Sequence, residues 1–308
     1  MIAIHHHVTH ALLALVLVAL IAIAGVLATG VRGGPLDPTA PPAPTLKTLN
    51  EVEPRTPISG LGINITTPGS YYLTRNITAS AAGVGIRINS DNVTLDLNGF
   101  TLTGGATSTH AIAVQTAIRR NIVIRNGTIR DWPGRGIDAG FAVAGEISHI
   151  NFYNNGGGGI DGTSGGGGSS LLVTDNVLYN NGLVANADGI QIASGIVRNN
   201  QVIGSGRDGI RITVNSGTLI EHNVLSFNGT TVAGAGVHLV AGALNVRIEG
   251  NNASNNDTGI EVVAAAGNII VANSARGNGV EYAIAPGNVA GPIQTGATLT
   301  NPWANIDY

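Results

Sequence analysis

Residues Gly83–Gly105 read GVGIRINSDNVTLDLNGFTLTGG, and this stretch decides the fold. Ile86 and Ile88 alternate with polar neighbours, a period of two that is typical of a half-buried strand. Turn-forming residues follow, and apolar and polar residues then alternate again over Val93–Leu97. One such pair of short strands cannot bury its apolar face alone. The rest of the chain must therefore supply similar units to pack against it.

Two markers recur along the chain at a similar period. The apolar residue that opens the first strand recurs at Ile86, Ile112, Ile137, Ile160, Ile190, Ile210, Val237, Ile260 and Ile284. The Asn that follows the second strand recurs at Asn98, Asn126, Asn151, Asn176, Asn200, Asn223, Asn251 and Asn273. Because both series advance by between 20 and 30 residues, the sequence predicts stacked supersecondary units, that is, a solenoid.

The composition of the repeats indicates which solenoid forms. They are rich in Gly, Asn, Ile, Val and Thr, which favour strands and turns over helices. We therefore expect an all-β fold of roughly nine coils, each with about three short strands that pair in parallel with the next coil. Stacking places Ile on Ile inside the coils and Asn on Asn at the corner. The corner amides then form a hydrogen-bonded ladder.

Specific runs of sequence support a family resemblance. Asp91–Leu102 (DNVTLDLNGFTL), Asn121–Ile129 (NIVIRNGTI) and the repeated G-I-x-I steps resemble the right-handed parallel β-helix proteins of the pectate-lyase-like superfamily. The closing segment Asn301–Asn305 is similar to the tail of uncharacterised bacterial members. The resemblance covers about residues 57–308 and implies a right-handed parallel β-helix. It does not imply one reaction, since fold does not fix function.

Charge and cysteine content exclude several classes of function. The formal net charge is -3 and the arginines are scattered, which argues against a nucleic-acid partner. The chain contains no Cys, so it has no disulfide, thiolate metal site or Cys nucleophile. We expect a monomer.

The chain is expected to have three parts. Residues 1–30 contain an uncharged apolar run and predict a signal peptide, with an uncleaved membrane anchor as the alternative. Residues 31–57 are rich in Pro and predict an extended linker. Residues 58–308 form the β-helix, with a C-terminal cap from about 291. The protein is therefore expected to be secreted or displayed at the cell surface, and to meet a membrane only through an uncleaved N-terminal segment.

The residue after each inward Ile is expected to face outward and to form a column on one face. This column reads Arg87, Ala113, Asp138, Asp161, Gln191, Arg211, His238 and Glu261. Asp138 and Asp161 fall on neighbouring coils, so their Cα atoms should lie roughly 5 Å apart. Two carboxylates at that separation can share a proton or bind a hard cation such as Ca²⁺. Arg211 and His238 lie further along the same face.

These residues lead to one functional hypothesis and its alternative. An acidic polysaccharide lies across the column, Asp138 and Asp161 act as acid and base or bind Ca²⁺, and Arg211 or His238 handles the proton beside a uronate carboxylate. The resemblance to β-helix lyases implies a similar outer face with acidic calcium ligands and a basic residue. This would make the protein a polysaccharide lyase or glycoside hydrolase. The alternative is a non-catalytic surface, adhesive or structural module, with an outward column of solvated charges.

Two further patterns leave alternatives open. Asp-Gly precedes the inward Ile at Asp188 and at Asp208, and could line a cation site or simply form the corner. Tyr153, Tyr179 and Phe227 follow the Asn series on different coils. They could form a sugar-stacking stripe or fill the corner as buried aromatics.

Overall fold

The computed structural model describes residues 2–28, 53–114, 116–163, 170–213, 215–295 and 300–307. Most of the predicted linker lies outside these ranges, as do residues 164–169, which belong to a Gly-rich run at residues 156–170. The chain divides into two compact units, Met1–Glu53 and Pro54–Tyr308. The first contains one helix, α1 (Ile2–Ala28). No helix within the described part of the chain combines the length and apolar character that a membrane crossing requires.

The second unit consists of short strands. The first eleven are β1 (Thr56–Ile58), β2 (Ile63–Ile65), β3 (Gly69–Leu73), β4 (Ile77–Thr78), β5 (Ile86–Ile88), β6 (Val93–Asp96), β7 (Thr101–Thr103), β8 (Ile112–Ala113), β9 (Arg119–Arg120), β10 (Ile122–Arg130) and β11 (Ile137–Asp138). The next eleven are β12 (Ala142–Tyr153), β13 (Ile160–Asp161), β14 (Ser170–Thr174), β15 (Val177–Tyr179), β16 (Ile190–Ile192), β17 (Ser194–Arg198), β18 (Gln201–Ile203), β19 (Ile210–Ile212), β20 (Asn215–Ser216), β21 (Leu219–Glu221) and β22 (Val224–Ser226). The last eleven are β23 (Ala235–Leu239), β24 (Ala243–Leu244), β25 (Arg247–Glu249), β26 (Asn252–Ser254), β27 (Thr258–Val262), β28 (Ile269–Val271), β29 (Ser274–Arg276), β30 (Val280–Ile284), β31 (Val289–Ala290), β32 (Ile293–Thr295) and β33 (Asn305–Asp307).

The strands stack coil on coil, as the repeat predicts. One sheet has ten strands in the order β2-β5-β8-β11-β13-β16-β19-β23-β27-β30, one from each successive coil. A second sheet of 21 strands forms the other walls, and β20 and β24 form a separate pair. The pairing between coils is parallel throughout these sheets, for example between β5 and β8 or between β19 and β23. The prediction of an all-β parallel coil of roughly nine turns is confirmed.

The interior of the coils is a stack of aliphatic side chains. The predicted markers from Ile86 to Ile260 are in register from coil to coil and are at most 1% exposed. The last predicted marker is wrong by two positions, since Ile260 is opposite Tyr282 and Ile284 is opposite Val262. The register is fixed by the paired strands, so a half-buried Tyr closes this column at its end.

The predicted Asn ladder is present over part of its length. Its side-chain amides bond from coil to coil in the order Asn176, Asn200, Asn223, Asn251, Asn273 and Asn305. Asn151 does not belong to this ladder, because Ile150 is the residue whose N–H donates to Asn176 Oδ1. Asn126 instead donates to Asp96 Oδ1. The first coils therefore form this corner without a ladder of Asn side-chain amides.

A second ladder, which the sequence analysis missed, lines another turn. Asn155 donates to Asn181, and Asn228 donates to Asn256, which donates to Asn278. On the coil between these two groups, the N–H of Ser205 donates to Asn228 Oδ1. Both ladders pair buried amides with one another. The first fixes the turn between two wall strands, and the second fixes the turn that leads into the ten-stranded sheet.

Candidate functional site

The outward residues of the ten-stranded sheet form one continuous column. Strand pairing places them opposite one another in the order Asn64, Arg87, Ala113, Asp138, Asp161, Gln191, Arg211, His238, Glu261 and Ala283. Asp138 therefore lies opposite Asp161 on the adjacent coil, and Arg211 lies opposite His238. The four predicted site residues share one face but form two separate clusters, with Gln191 between them.

The first cluster is the Asp138–Asp161 pair, which Arg135 joins. Arg135 Nη2 lies 2.7 Å from Asp161 Oδ2, and Arg135 Nη1 lies 3.6 Å from Asp138 Oδ2. Asp161 Oδ1 also accepts hydrogen bonds from the backbone N–H and the hydroxyl of Thr163, both at 2.7 Å. Asp138 and Asp161 are only 3% and 6% exposed. The expectation of solvated charges is therefore wrong at these two positions, because arginine and turn residues cover them.

His110 extends this cluster on the preceding coil. Its Nδ1 accepts the backbone N–H of Arg135 at 3.0 Å, and its Nε2 lies 3.9 Å from Asp138 Oδ2. Burial lowers the pKa of His110 and outweighs the opposing effect of the Asp138 carboxylate. His110 thus holds the backbone at Arg135, and its neutral form is favoured.

The donor set around the pair fits an arginine better than calcium. Ca²⁺ takes about six to eight oxygen ligands, whereas the pair supplies two carboxylates whose facing oxygens already contact Arg135. Among the described residues, no group of three or more His, Cys, Asp or Glu side chains is placed to bind a metal ion. Calcium at Asp138 and Asp161 stays a prediction, and binding there would have to displace the guanidinium of Arg135.

The second cluster contains Arg211 and His238, and its centre is Asp208. Asp208 Oδ2 lies 2.7 Å from Arg211 Nη1 and 2.9 Å from His238 Nδ1. Its other oxygen, Oδ1, accepts the backbone N–H of Ala235 at 2.8 Å. Glu261 lies further out, with Oε2 at 3.8 Å from His238 Nδ1. We call Asp208, Arg211 and His238 the Asp208 cluster. Its carboxylate is 1% exposed, whereas the side chains of Arg211 and His238 are 20% and 16% exposed.

An ion pair between Arg207 and the buried carboxylate of Asp188 supports the Asp208 cluster. Arg207 donates to both oxygens of Asp188, with Nε–Oδ1 at 2.8 Å and Nη2–Oδ2 at 2.7 Å. Asp188 Oδ1 also accepts the backbone N–H of Asp208 at 3.1 Å. Since the Asp188 side chain is fully buried, this bidentate pair fixes the turn that carries Asp208.

The two aspartates of this region have opposite pKa shifts. Burial raises the pKa of Asp188, although the hydrogen bond from Arg207 opposes it. Burial alone would also raise the pKa of Asp208, but the hydrogen bonds and charges of His238, Arg211 and the Ala235 N–H outweigh it and lower the pKa. Asp208 is therefore held as a carboxylate.

The outward column in the sequence includes Arg211 and His238 but not Asp208, the group that organises them. In the sequence, Asp188 and Asp208 appear only as Asp-Gly steps before the inward Ile. This pattern is also typical of a corner without any function. Arg135 gave no signal beyond its position before Gly136. Four surface hollows of about 220–350 Å³ that are lined by described residues lie elsewhere on the β-helix, and none of these four is lined by Asp138, Asp161, Arg211 or His238.

A family model matches the repeated part of the chain. The family model described as a right handed beta helix region matches residues 118–276, more than half of the chain. The chain belongs to this right-handed β-helix family. The predicted handedness and the parallel coil are thus both shown, and a search of curated proteins finds no match.

Several solved structures are similar to this chain at low sequence identity. The Dettilon tailspike protein is 15% identical with a TM-score of 0.53, over 82% of this chain and 61% of that chain. The β-helix thus spans less than two thirds of the tailspike. The A-modules of the mannuronan C-5 epimerases AlgE6 and AlgE4 from Azotobacter vinelandii are 16% and 18% identical, with TM-scores of 0.44 and 0.42. They match 78% and 77% of this chain and 89% and 88% of theirs. At 15% identity the likeness to the tailspike concerns the fold alone.

Proposed function

We propose that this right-handed β-helix binds an acidic polysaccharide across the outer face of its ten-stranded sheet and cleaves it at the Asp208 cluster. The observation that carries the proposal is the 2.9 Å contact between Asp208 Oδ2 and His238 Nδ1. It sets a part-exposed imidazole on a buried carboxylate, the arrangement that general-base catalysis by His requires. Arg211, opposite His238, supplies a cation beside it.

His238 is the proposed base. When Nδ1–H donates to Asp208, the lone pair of the neutral ring lies on Nε2. Within the described part of the chain, Nε2 has no hydrogen-bond partner. In this tautomer Nε2 can accept a proton from a bound sugar, and Arg211 Nη1, which also lies 2.9 Å from Nδ1, bonds Asp208 instead of the ring. The charge of Asp208 stabilises the imidazolium that forms.

The proposed reaction is a β-elimination next to a uronate carboxylate. Arg211 binds the carboxylate and withdraws charge from it, which acidifies the neighbouring C5–H bond. His238 removes that proton, the electron pair forms the C4–C5 double bond, and the C4–oxygen bond of the glycosidic link breaks. The departing oxygen takes a proton from water, and His238 then releases its own proton to water. The products are an unsaturated uronate and a shorter chain. No oxidant or reductant is needed.

In this proposal the Asp138–Asp161 pair positions Arg135 and does not transfer protons. The Arg135 side chain is 31% exposed, so its outer edge can contact a second carboxylate of the polymer. Three coil steps separate Asp138 from Arg211 along the column, a distance of roughly 14 Å. A polyanion lying along the face would therefore meet both cations, and Ca²⁺ would be an additional bridge between polymer and protein.

The proposed site of action is outside the cell or at its surface. This part of the proposal rests on the apolar N-terminal segment, which predicts export.

A second function, carbohydrate binding without cleavage, is favoured by one observation. Arg135, Arg207 and Arg211 each already contact a buried carboxylate at 2.7 Å. Such pairs hold a surface together and leave less charge for a substrate. A non-catalytic surface or adhesive module needs only such a stably paired surface.

The deciding experiment is a screen of polygalacturonate, alginate and glucuronan for unsaturated products by ultraviolet absorbance. Each polymer is tested with added calcium and with a chelator, and binding is measured in parallel. We expect unsaturated product from at least one polymer. Binding without product would favour the binding module over the lyase. If the protein neither binds nor cleaves any of these polymers, the proposal is wrong.

A further inference from the structure

We infer that the turn after β22 forms a binding site for a neutral sugar, with Phe227 as its stacking platform. The side chain of Phe227 is 57% exposed. The alternative that it fills the corner as a buried aromatic is therefore wrong. Tyr179 is also exposed, at 44%, and its ring centroid lies 6.4 Å from that of Tyr153. Tyr153 and Tyr179 are the last residues of β12 and β15. Phe227 follows the last residue of β22, so it belongs to the neighbouring column of turn residues.

The backbone at Phe227 is unusual for its residue type. On seven successive coils, the residue after the second wall strand has a positive φ of between +54° and +69°. These residues are Asp131, Asn154, Asn180, Gly204, Phe227, Asn255 and Gly277. Gly, Asn and Asp tolerate this left-handed conformation, whereas a bulky aromatic side chain is an outlier in it. Phe227 is the single such exception in the column.

Burial of Phe227 does little to offset the cost of its left-handed backbone conformation. A strained residue is normally kept because burial or packing repays the conformational cost. Phe227 is instead more than half exposed, so burial repays only part of this cost. An Asn at this position would suit the backbone better and would remove an exposed apolar surface. The ring is therefore best explained by contact with a ligand.

The ring lies beside a shallow, open hollow of about 330 Å³ with a mixed polar and apolar lining. The lining includes Thr230, Asn255 and the exposed side chain of Asp257. Oδ2 of Asp257 accepts the backbone N–H of Gly234 at 2.9 Å, which fixes the carboxylate. A Cβ atom at Gly229 would collide with this oxygen, so glycine makes room for it. The hollow has the volume of a small-ligand site, with one apolar wall and a few fixed polar groups.

These groups select a class of ligand. A pyranose ring has an apolar C–H face that can lie on an aromatic ring, and a rim of hydroxyls that can donate to a carboxylate. The charge of Asp257 repels uronates and phosphates, so the site favours a neutral sugar over an acidic sugar or a nucleic acid. This inference does not depend on the proposed lyase activity.

The test compares Phe227→Asn with Phe227→Tyr in titrations of cellohexaose, mannohexaose and xylohexaose, each followed by calorimetry at millimolar ligand. We expect one of these sugars to bind the parent and Phe227→Tyr, and Phe227→Asn to bind roughly tenfold more weakly. Phe227→Asn should unfold at the same temperature as the parent or a higher one, because it relieves the strained backbone.

Three results would overturn the inference. The first is that none of the hexasaccharides binds the parent, or that only uronate oligomers do. The second is that Phe227→Asn binds as well as the parent. The third is that the parent sediments as a dimer that Phe227→Asn dissociates, which would assign the exposed ring to self-association.

Discussion

Oδ2 of Asp208 lies 2.9 Å from Nδ1 of His238, although the two residues are 30 positions apart in the chain. Arg211 Nη1 lies 2.9 Å from the same ring nitrogen and 2.7 Å from the same carboxylate oxygen. A guanidinium can only donate, so the proton on Nδ1 decides which partner the ring bonds. With that proton present the ring bonds Asp208, and the imidazole is oriented for proton transfer at Nε2.

We expect His238→Gln to reduce turnover of the responsive uronate polymer by about 10²-fold or more, because the base is removed. Polymer affinity should change little, since Gln keeps a polar side chain of similar reach. The measurement is initial rate against polymer concentration, which separates turnover from binding. His222→Gln is the matched control, because the His222 side chain is 64% exposed and lies on another wall. Equal loss in both variants would contradict the assignment of His238.

We expect Asp208→Asn to lower the free energy of unfolding by about 3 kcal/mol at neutral pH, since it leaves Arg211 and His238 without their buried counter-charge. The effect should depend on pH. The pKa of Asp208 is lowered by folding, so its carboxylate stabilises the protein above the unfolded pKa of about 3.9. That stability is lost as the pH falls through the lower folded value.

Urea unfolding at a series of pH values measures this difference. The gap between parent and Asp208→Asn should be widest at neutral pH and should close in strong acid. Asp257→Asn is the control, because its carboxylate is exposed and belongs to another turn. A gap that stays constant with pH would show that the Asp208 charge does not stabilise the fold.

The repeat in the sequence was sufficient to predict which residues stack. The outward column from Arg87 to Glu261 follows the period of the inward Ile, because parallel pairing leaves little freedom of register. The Asn ladder from Asn176 to Asn273 follows for the same reason. Errors occur where coil length changes, as at Asn151 and Ile284.

Contacts made by turn residues could not be predicted in this way. Turns between the wall strands and the ten-stranded sheet differ in length from coil to coil, so position in the repeat does not determine what they cover. Arg135 precedes its strand by two residues and reaches carboxylates on two coils. Asp208 contacts His238 on the next coil. Burial of Asp138 and Asp161 depends on such turn contacts, which the period of the strands does not encode.

We expect Arg135→Ala to bind Ca²⁺ more tightly than the parent, because the guanidinium no longer neutralises Asp138 and Asp161. Without calcium the variant should be less stable by about 3 kcal/mol, since two buried carboxylates lose their counter-charge. Calcium should restore part of that stability. Thermal unfolding with calcium and with a chelator measures both effects.

The double variant Asp138→Asn with Asp161→Asn is the control for the calcium experiment. It should bind no calcium at this position with Arg135 present or absent. If the parent binds calcium tightly and Arg135→Ala brings no gain, the ion is bound elsewhere on the molecule. If neither protein responds to calcium, the predicted site does not exist.

We expect Asn200→Ala to destabilise the β-helix by at least about 3 kcal/mol, because it breaks a buried ladder in both directions. Asn200 Nδ2 donates to the carbonyl of Val173 at 2.9 Å and to Asn223 Oδ1 at 3.0 Å. Its Oδ1 accepts from the backbone and side chain of Asn176, at 3.1 Å and 3.0 Å. Alanine supplies none of these bonds, and at 1% exposure water cannot replace them. Urea unfolding of Asn252→Ala gives the control, since that side chain is exposed. A similar small effect in both variants would mean that the Ile stack alone stabilises the coils and that the amides contribute little.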